Sequence, residues 1–298
     1  MSFKMGVDLG GTKTEFLILD DGNQPQYRER RATPATDYDA IIEMIADEYA
    51  GACNRFGVKP SLGIGMPGAQ SPNSGLIRNA NTQCLNGRAL QRDLERRIGQ
   101  PLRLANDANC FALSEALDGA GRGYRVVFGV IIGTGTGGGL VVDGHLLAGP
   151  HLIAGEWGHN PLPWWRPEDG ETDCYCGKQG CIETYLSGPG LAASYARREG
   201  VDRDSRTIVA AAGQGDAVCL DLLLAYSDQL ARALASVINL VDPDAIVLGG
   251  GMSNIDAIYQ EVPRRLPQYV FSDFVETPIV KAERGDSSGV FGAALLWE

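Results

Sequence analysis

Four residues have the types and spacing of a metal site: His159, Cys174, Cys176 and Cys181, arranged H-x14-C-x-C-x4-C. Three thiolates and one imidazole suit tetrahedral Zn²⁺, and Gly177 and Gly180 allow the turns that aim three sulfurs at one point. Four protein ligands leave no open coordination position, so the expected zinc is structural. Reduced core thiols are the plainer alternative, and a DNA-binding zinc ribbon is a third. The acidic composition and the lack of a second ligand pair oppose the ribbon. Two carboxylates flank the cluster, Glu156 and Glu183. They are either solvated surface charges or groups held by the metal knuckle, together with the His159 ring, whose second nitrogen can then bond a ligand.

A further carboxylate, Asp107, follows the segment Leu102-Arg103-Leu104-Ala105-Asn106 and precedes a helix expected over Ala108 to Leu117. Ligands of α/β sheets collect at the carboxyl ends of strands. A carboxylate there can take the proton of a hydroxyl that attacks a phosphoryl group. Asp107 can equally be the helix N-cap, and one residue can serve both purposes. Gly133, Gly135 and Gly138 match G-x-G-x-x-G, but Leu140 to Val142 and then Asp143-Gly144 read as a strand and a hairpin turn. The helix that a dinucleotide fingerprint needs is missing. Gly10-Gly11-Thr12-Lys13-Thr14 does not fit a P-loop either. Both are read as glycine turns between strands. Backbone N–H groups can approach an anion there, and Thr12, Thr14, Thr134 and Thr136 add hydroxyls. Tight hairpins without a ligand are the alternative. A third glycine run, Gly249 to Gly251, ends an apolar strand from Ala245 to Leu248.

The elements that must position these residues are organised by a repeat. Met5 to Gly11, with Leu17 to Asp20 and Gly22, resembles Phe128 to Thr134, with Leu140 to Gly144. Gly6 aligns with Gly129 and Gly10 with Gly133, which implies a duplicated architecture with a cleft between the halves. Helical spacing runs from Tyr38 to Phe56, with Ile41, Ile42, Ile45 and Tyr49 on one face, and a long apolar helix is expected over Asp221 to Leu240. Leu62 to Met66 reads as a short strand. Alternating strands and helices indicate an α/β fold. The 298 residues suffice for two domains, and 44% hydrophobic content fits globular cores. A net charge of -11, with no long Lys/Arg run, argues against nucleic acid as a partner. There is no signal-peptide pattern at the start and no run of ~18 apolar residues, so no membrane association and a cytoplasmic location with reduced thiols are expected. Cys53, Cys84, Cys110 and Cys219 then read as small core residues.

These motifs resemble, along nearly the whole chain, the sugar-kinase members of the ROK family (repressors, open reading frames, kinases), and most nearly the bacterial fructokinases or mannofructokinases. The carriers are Asp8 to Thr14, Leu104 to Cys110, Ile132 to Gly135, Gly155 to Asn160, Cys174 to Glu183 and Gly249 to Met252. The resemblance implies a two-lobed, actin-like, ribonuclease-H-type ATPase fold with ATP and sugar in the cleft. The lobes would be residues 1–118, joined by a last helix at about 289–298, and residues 119–288, carrying the zinc loop 156–183. It implies phosphorylation of a hexose, fructose to fructose 6-phosphate first, with mannose or glucose as further substrates. The alternative is an N-acetylhexosamine kinase or glucokinase of the same family. Asp107 would be the base, and Asn81, Asn106, Asp107, Glu156, His159 and Glu183 the sugar contacts. Gly10, Gly11, Thr12, Lys13, Thr134, Gly135 and Gly250 would hold ATP, and Asp8 would steer Mg²⁺. His159, Cys174, Cys176 and Cys181 would hold the zinc. A homodimer is implied as well. The family's sugar-sensing repressors carry a helix-turn-helix ahead of the first glycine loop, and only Met1 to Val7 precede Asp8 here. Trp164-Trp165, between the metal ligands, can serve packing or dimer contact.

Overall fold

Met5, Val7 and Leu9 alternate with polar or small neighbours and are fully buried, which places β1 (Lys4–Leu9) at the centre of a sheet. The computed structural model describes residues 2–298, with the backbone alone described at Asp286. After β1 come β2 (Lys13–Leu19), β3 (Pro25–Ala32), α1 (Tyr38–Phe56), β4 (Ser61–Met66), β5 (Ala69–Gln70), β6 (Ile77–Arg78), α2 (Leu90–Ile98), β7 (Leu102–Asn106) and α3 (Asp107–Asp118). The chain continues through β8 (Val126–Ile132), β9 (Thr136–Val142), β10 (His145–Leu146), α4 (Glu183–Leu186), α5 (Gly188–Glu199), α6 (Ser205–Gly213), α7 (Ala217–Val241), β11 (Ala245–Gly249), α8 (Ile258–Arg265), β12 (Ile279–Lys281) and α9 (Ser288–Ala294).

One sheet has the order β3-β2-β1-β4-β7 and another the order β10-β9-β8-β11-β12. In the first, β1 pairs antiparallel with β2 and parallel with β4, and β4 pairs parallel with β7. In the second, β11 pairs parallel with both β8 and β12, and β9 pairs antiparallel with β10. The same strand order therefore occurs twice, with β1 matching β8 and β2 matching β9, which is the repeat read from the two glycine hairpins. This is the two-lobed, actin-like ATPase fold with its ribonuclease-H-type sheets. The β9–β10 turn places Asp143 (φ 50°) and Gly144 (φ 78°) both in the left-handed region, as a two-residue hairpin turn requires.

The chain divides into two units. Unit 1 takes the chain up to Gly119, then Gly139–Ala154 and Asp286–Glu298; unit 2 takes Ala120–Gly138 and Gly155–Gly285. In unit 1, α1 starts where the Asp37 side chain accepts the Ala40 N–H at 3.0 Å and stops at Gly57 in the left-handed region (φ 68°). Its buried face holds Ile41, Ile42, Ile45 and Tyr49. In unit 2, α7 begins at Ala217, ahead of the expected Asp221, because Asp216 caps Cys219 N at 3.0 Å. The last helix, α9, is shorter than the sequence suggests and stops at Ala294. Among the described residues no single helix is long and apolar enough to cross a membrane. Only α6 and α7 taken together pass on length and composition; they bend by 113°, and α7 is largely buried.

Candidate functional site

In unit 1, three parallel strands bring their carboxyl ends to one edge: Asp8 of β1 pairs with Gly65 of β4, and Met66 pairs with Asn106 of β7. Asn106 has the extended backbone of a cap. Its Oδ1 accepts the Ala108 N–H at 2.9 Å, and its Nδ2 donates to the Gly68 carbonyl at 3.0 Å. The N-cap of α3 is therefore Asn106, and Asp107 is the first residue inside the helix, which corrects the cap reading of Asp107. Its Oδ1 also accepts the Ala108 N–H, at 2.8 Å. Asp107 remains open to solvent. The protein packed around its carboxyl raises its pKa, and the backbone N–H groups of Ala108 and Asp107 and the Asn106 side chain oppose the rise.

Beside it, the Asp8 carboxyl is pushed up to about 7, first by burial, then by the charges of Asp107 and Glu15; Arg30 opposes this. Glu15 is itself buried and paired with Arg28 and Arg30. A Cβ at Gly289 of α9 would lie 2.8 Å from Asp8 Oδ2, so the glycine is what lets the last helix approach that carboxyl. At the β1–β2 turn, the Gly10 N–H donates to the Lys13 carbonyl at 3.1 Å and closes the hairpin. Thr12 and Lys13 are exposed at its tip. Thr14 is fully buried, with its hydroxyl 2.8 Å from that of Thr33, so it is not the anion-binding hydroxyl expected of it: beyond Lys13 every residue of β2 is buried. Asn81 stands beside the tip, its Oδ1 3.8 Å from where a Gly11 Cβ would be.

In unit 2, Thr134 is exposed at the matching turn, which the Gly133 N–H closes by donating to the Gly135 carbonyl at 2.9 Å. Glu183, the first residue of α4, lays its carboxylate on this turn. Its Oε2 accepts the Thr136 N–H at 2.8 Å and would lie 2.5 Å from a Cβ at Gly135. Gly135 is thus fixed by the carboxylate above it. The Thr136 hydroxyl is buried and has no hydrogen-bond partner among the described residues; like that of Thr14, it does not face an exposed anion site. Gly250 follows β11 at φ 83°, where a Cβ would meet the Ile132 carbonyl oxygen at 2.5 Å.

Glu156 and His159 are positioned by the two residues between them. Trp157 is buried, donates Nε1–H to the Gly137 carbonyl at 3.0 Å and packs edge-on against Phe128. A Cβ at Gly158 would lie 1.9 Å from the Thr136 carbonyl oxygen. The pair docks Glu156 and His159 on β9, and the aromatic and glycine in Glu-Trp-Gly-His were its sequence signal.

The ligand atoms of His159, Cys174, Cys176 and Cys181 lie within 4.8 Å of one another. His159 Nδ1 is 3.6 Å from Cys174 Sγ, and the sulfurs of Cys176 and Cys181 are 3.7 Å apart. A zinc tetrahedron with ordinary Zn–N and Zn–S lengths has N–S and S–S edges of about 3.6 and 3.8 Å, so the donors fit that ion. Gly177 (φ 85°) and Gly180 (φ 67°) turn the knuckle, and a bond from Leu162 N–H to the Gly180 carbonyl at 2.8 Å closes it on the His159 arm.

The insertion between the arms is anchored by Arg232 of α7, which is 1% exposed. Its guanidinium bonds Asp169 at 2.6 and 2.9 Å and the Trp164 carbonyl at 2.8 Å. This holds Trp164 at φ 48°, an unusual backbone for a bulky residue, with its ring against Tyr269. Arg232 was not anticipated. Its signal was a lone arginine in an apolar helix, opposite an acidic run. Tyr175, between two of the cysteines, was not anticipated either. Its hydroxyl lies 3.1 Å from His159 Nε2, and its pKa is pushed up to about 12, first by the protein packed near the hydroxyl and then by Glu183, Cys174 and Glu156, although most of the residue is exposed.

The expected site residues thus form two sets, Asp8, Gly10 to Lys13, Asn81, Asn106 and Asp107 in unit 1, and Thr134, Gly135, Glu156, His159, Glu183, Gly250 and the cysteines in unit 2. Comparison with known proteins supplies the context. The chain is 39% identical over 296 residues to the N-acetyl-D-glucosamine kinase of Photobacterium profundum, covering 98% of both proteins. Among solved structures, the ROK hexokinase of Thermus thermophilus superposes with a TM-score of 0.88 at 30% identity, covering 99% of this chain and 97% of that one. A ROK family glucokinase from Streptomyces griseus, solved with glucose and AMPPNP, gives a TM-score of 0.75 at 29% identity over 98% of each chain. The model of the ROK family matches residues 4–298, and the chain belongs to that family.

Proposed function

We propose that the protein transfers the terminal phosphoryl group of ATP to N-acetyl-D-glucosamine. The observation that carries this reading is the 39% identity, over 98% of both chains, to an N-acetyl-D-glucosamine kinase. It favours the N-acetylhexosamine alternative over fructose, the substrate first expected. Relatedness to a glucokinase solved with glucose and an ATP analogue supports the coarser chemistry, a hexose as acceptor and ATP as donor.

Asp107 is assigned the role of general base. A carboxylate raised above its ordinary pKa by its surroundings, yet open to solvent, can accept the proton of an attacking hydroxyl. Asn81, Asn106, Glu156, His159 and Glu183 are assigned to the sugar hydroxyls. Gly10, Gly11, Thr12, Lys13, Thr134, Gly135 and Gly250 are assigned to the nucleotide. Asp8 is the residue that would hold Mg²⁺, which when bound supplies charge stabilisation for the phosphates. Zinc at His159, Cys174, Cys176 and Cys181 is assigned a structural role, fixing the ring of His159 beside Glu156 and Glu183. We also assign the protein a cytoplasmic location and a homodimeric state, which sizing by light scattering checks.

The test is ADP release over a panel of N-acetylglucosamine, N-acetylmannosamine, glucose, mannose and fructose. The expected result is the highest kcat/KM for N-acetylglucosamine. A preference for fructose returns the assignment to the fructokinase branch, and no ADP release with any hexose ends the kinase reading.

A further inference from the structure

His159 turns its two ring nitrogens to different partners. Nδ1 faces the Cys174 sulfur at 3.6 Å, in the direction of the metal-ligand cluster, and Nε2 faces the Tyr175 hydroxyl at 3.1 Å. With a metal on Nδ1, the remaining ring proton sits on Nε2, which can then only donate, and to one acceptor at full strength. In this structure that acceptor is the tyrosine. The two rings meet edge to face, with centroids 5.2 Å apart at 87°.

Among the described residues the phenol makes no other hydrogen bond. Tyr175 is 80% exposed. Its backbone is fixed by ligand cysteines on both sides, with Gly177 closing the turn behind them, so its freedom is that of the side-chain torsions alone. Glu183 and Glu156 are close enough to bear on the phenol electrostatically. The hydroxyl therefore stands at the nitrogen a sugar hydroxyl would need, within electrostatic reach of Glu183 and Glu156.

We infer that Tyr175 is a positioning residue that occupies His159 Nε2 in the sugar-free protein and competes with the sugar for it. The inference rests on the sugar-binding role proposed for His159. Binding requires the tyrosine to swing off, so the measured affinity is the intrinsic one reduced by the fraction of molecules whose Nε2 is uncovered. The device tunes affinity without touching the phosphoryl-transfer step.

The test is Tyr175→Phe, which keeps the ring and its edge-to-face contact and deletes the competing acceptor. The sugar dissociation constant is measured by calorimetry without nucleotide, and KM and kcat by ADP release, with N-acetylglucosamine or whichever hexose of the panel the wild type turns over fastest. The expected result is a dissociation constant and a KM lower by about two- to tenfold, the range one net hydrogen bond covers, with kcat and zinc content unchanged. An unchanged or raised dissociation constant overturns the inference and shows the tyrosine to be a bystander or a sugar contact. If the wild type turns over a hexose and Tyr175→Phe behaves identically, only this inference fails. If the wild type neither binds nor phosphorylates any hexose of the panel, the substrate reading and this inference fall together.

Discussion

Asp107 and Asp8 show how one strand edge can hold two carboxylates with different tasks. Asp107 is open to solvent, as the base role proposed for it requires. Asp8 is more enclosed, and its pKa rises to about 7 under burial and the charges of its neighbours. Asp107→Asn keeps the α3 cap, which belongs to Asn106, so the fold should survive. Sugar binding by calorimetry should be preserved, while kcat falls by a factor on the order of 10³. Normal turnover in that variant would remove Asp107 as base. Asp8 gives a stability prediction of definite sign. Its folded pKa lies above the unfolded value of 3.8, so the folded state binds the proton more tightly. Stability from this group is greatest below about pH 4 and is lost as pH rises through about 7, with an upper bound of about 4 kcal/mol before solvent screening. Asp8→Asn mimics the protonated form. Its melting temperature should match the wild type below about pH 4, begin to exceed it as pH rises from about 4 to about 7, and exceed it most at pH 8. A difference that does not change with pH would show that the carboxyl is already hydrated.

At the scale of elements, unit 2 carries two anchors, the His159 and cysteine knuckle and the Arg232 clamp. Arg232 and Asp169 form a buried pair, at 1% and 6% exposure. Arg232→Leu leaves Asp169 charged and buried and should destabilise by about 3–5 kcal/mol. Adding Asp169→Leu should recover much of that loss, because the buried charge of Asp169 is gone and Asp228, the other carboxylate on Arg232, keeps its pair with Arg166. Chemical denaturation of the two variants measures both, and equal instability of the single and double variants would show that the loop depends on the pair itself. What was legible in the sequence at this scale followed hydrophobic pattern. α1 could be read to its ends, because four apolar residues share one face between a good cap and a glycine stop. The repeat was legible because Gly6 and Gly10, which sit where two backbones crowd, recur as Gly129 and Gly133 at the same offset. β3, Pro25–Ala32, was not, because it has no buried residue and carries three arginines, so its pairing with β2 decides its conformation. The four residues of the candidate metal site were legible from spacing alone. The neighbours that orient them, Trp157, Tyr175 and Arg232, were not, since their roles depend on contacts distant in sequence.

The whole molecule is a repeated sheet order in which unit 1 is completed by the end of the chain. α9 lies on β1, β4 and α3 at glycine distances. A Cβ at Gly6 would lie 2.2 Å from the Val290 carbonyl oxygen, one at Gly63 1.9 Å from that of Ala293, and one at Gly292 1.7 Å from that of Cys110. All three obstacles are backbone, which cannot rotate away as a side chain can. Beyond the helix, Trp297 donates Nε1–H to the Leu62 carbonyl at 2.8 Å under the Arg103 guanidinium, 4.4 Å above its ring, and Glu298 pairs with Lys4. The chain's two ends are thus locked together, and the seam passes through Gly289 to the Asp8 carboxyl. Gly63→Ala adds one methyl at the middle of this seam. Its cost should be about 1–3 kcal/mol or more, the range for overpacking a filled core, read as a melting temperature lower by several degrees. Because the displaced helix carries Gly289, affinity for magnesium-ATP should weaken in the same variant, while zinc content, set in unit 2, should not change. A variant that loses stability but binds the nucleotide as the wild type does would show that α9 supports the fold and has no part in holding Asp8.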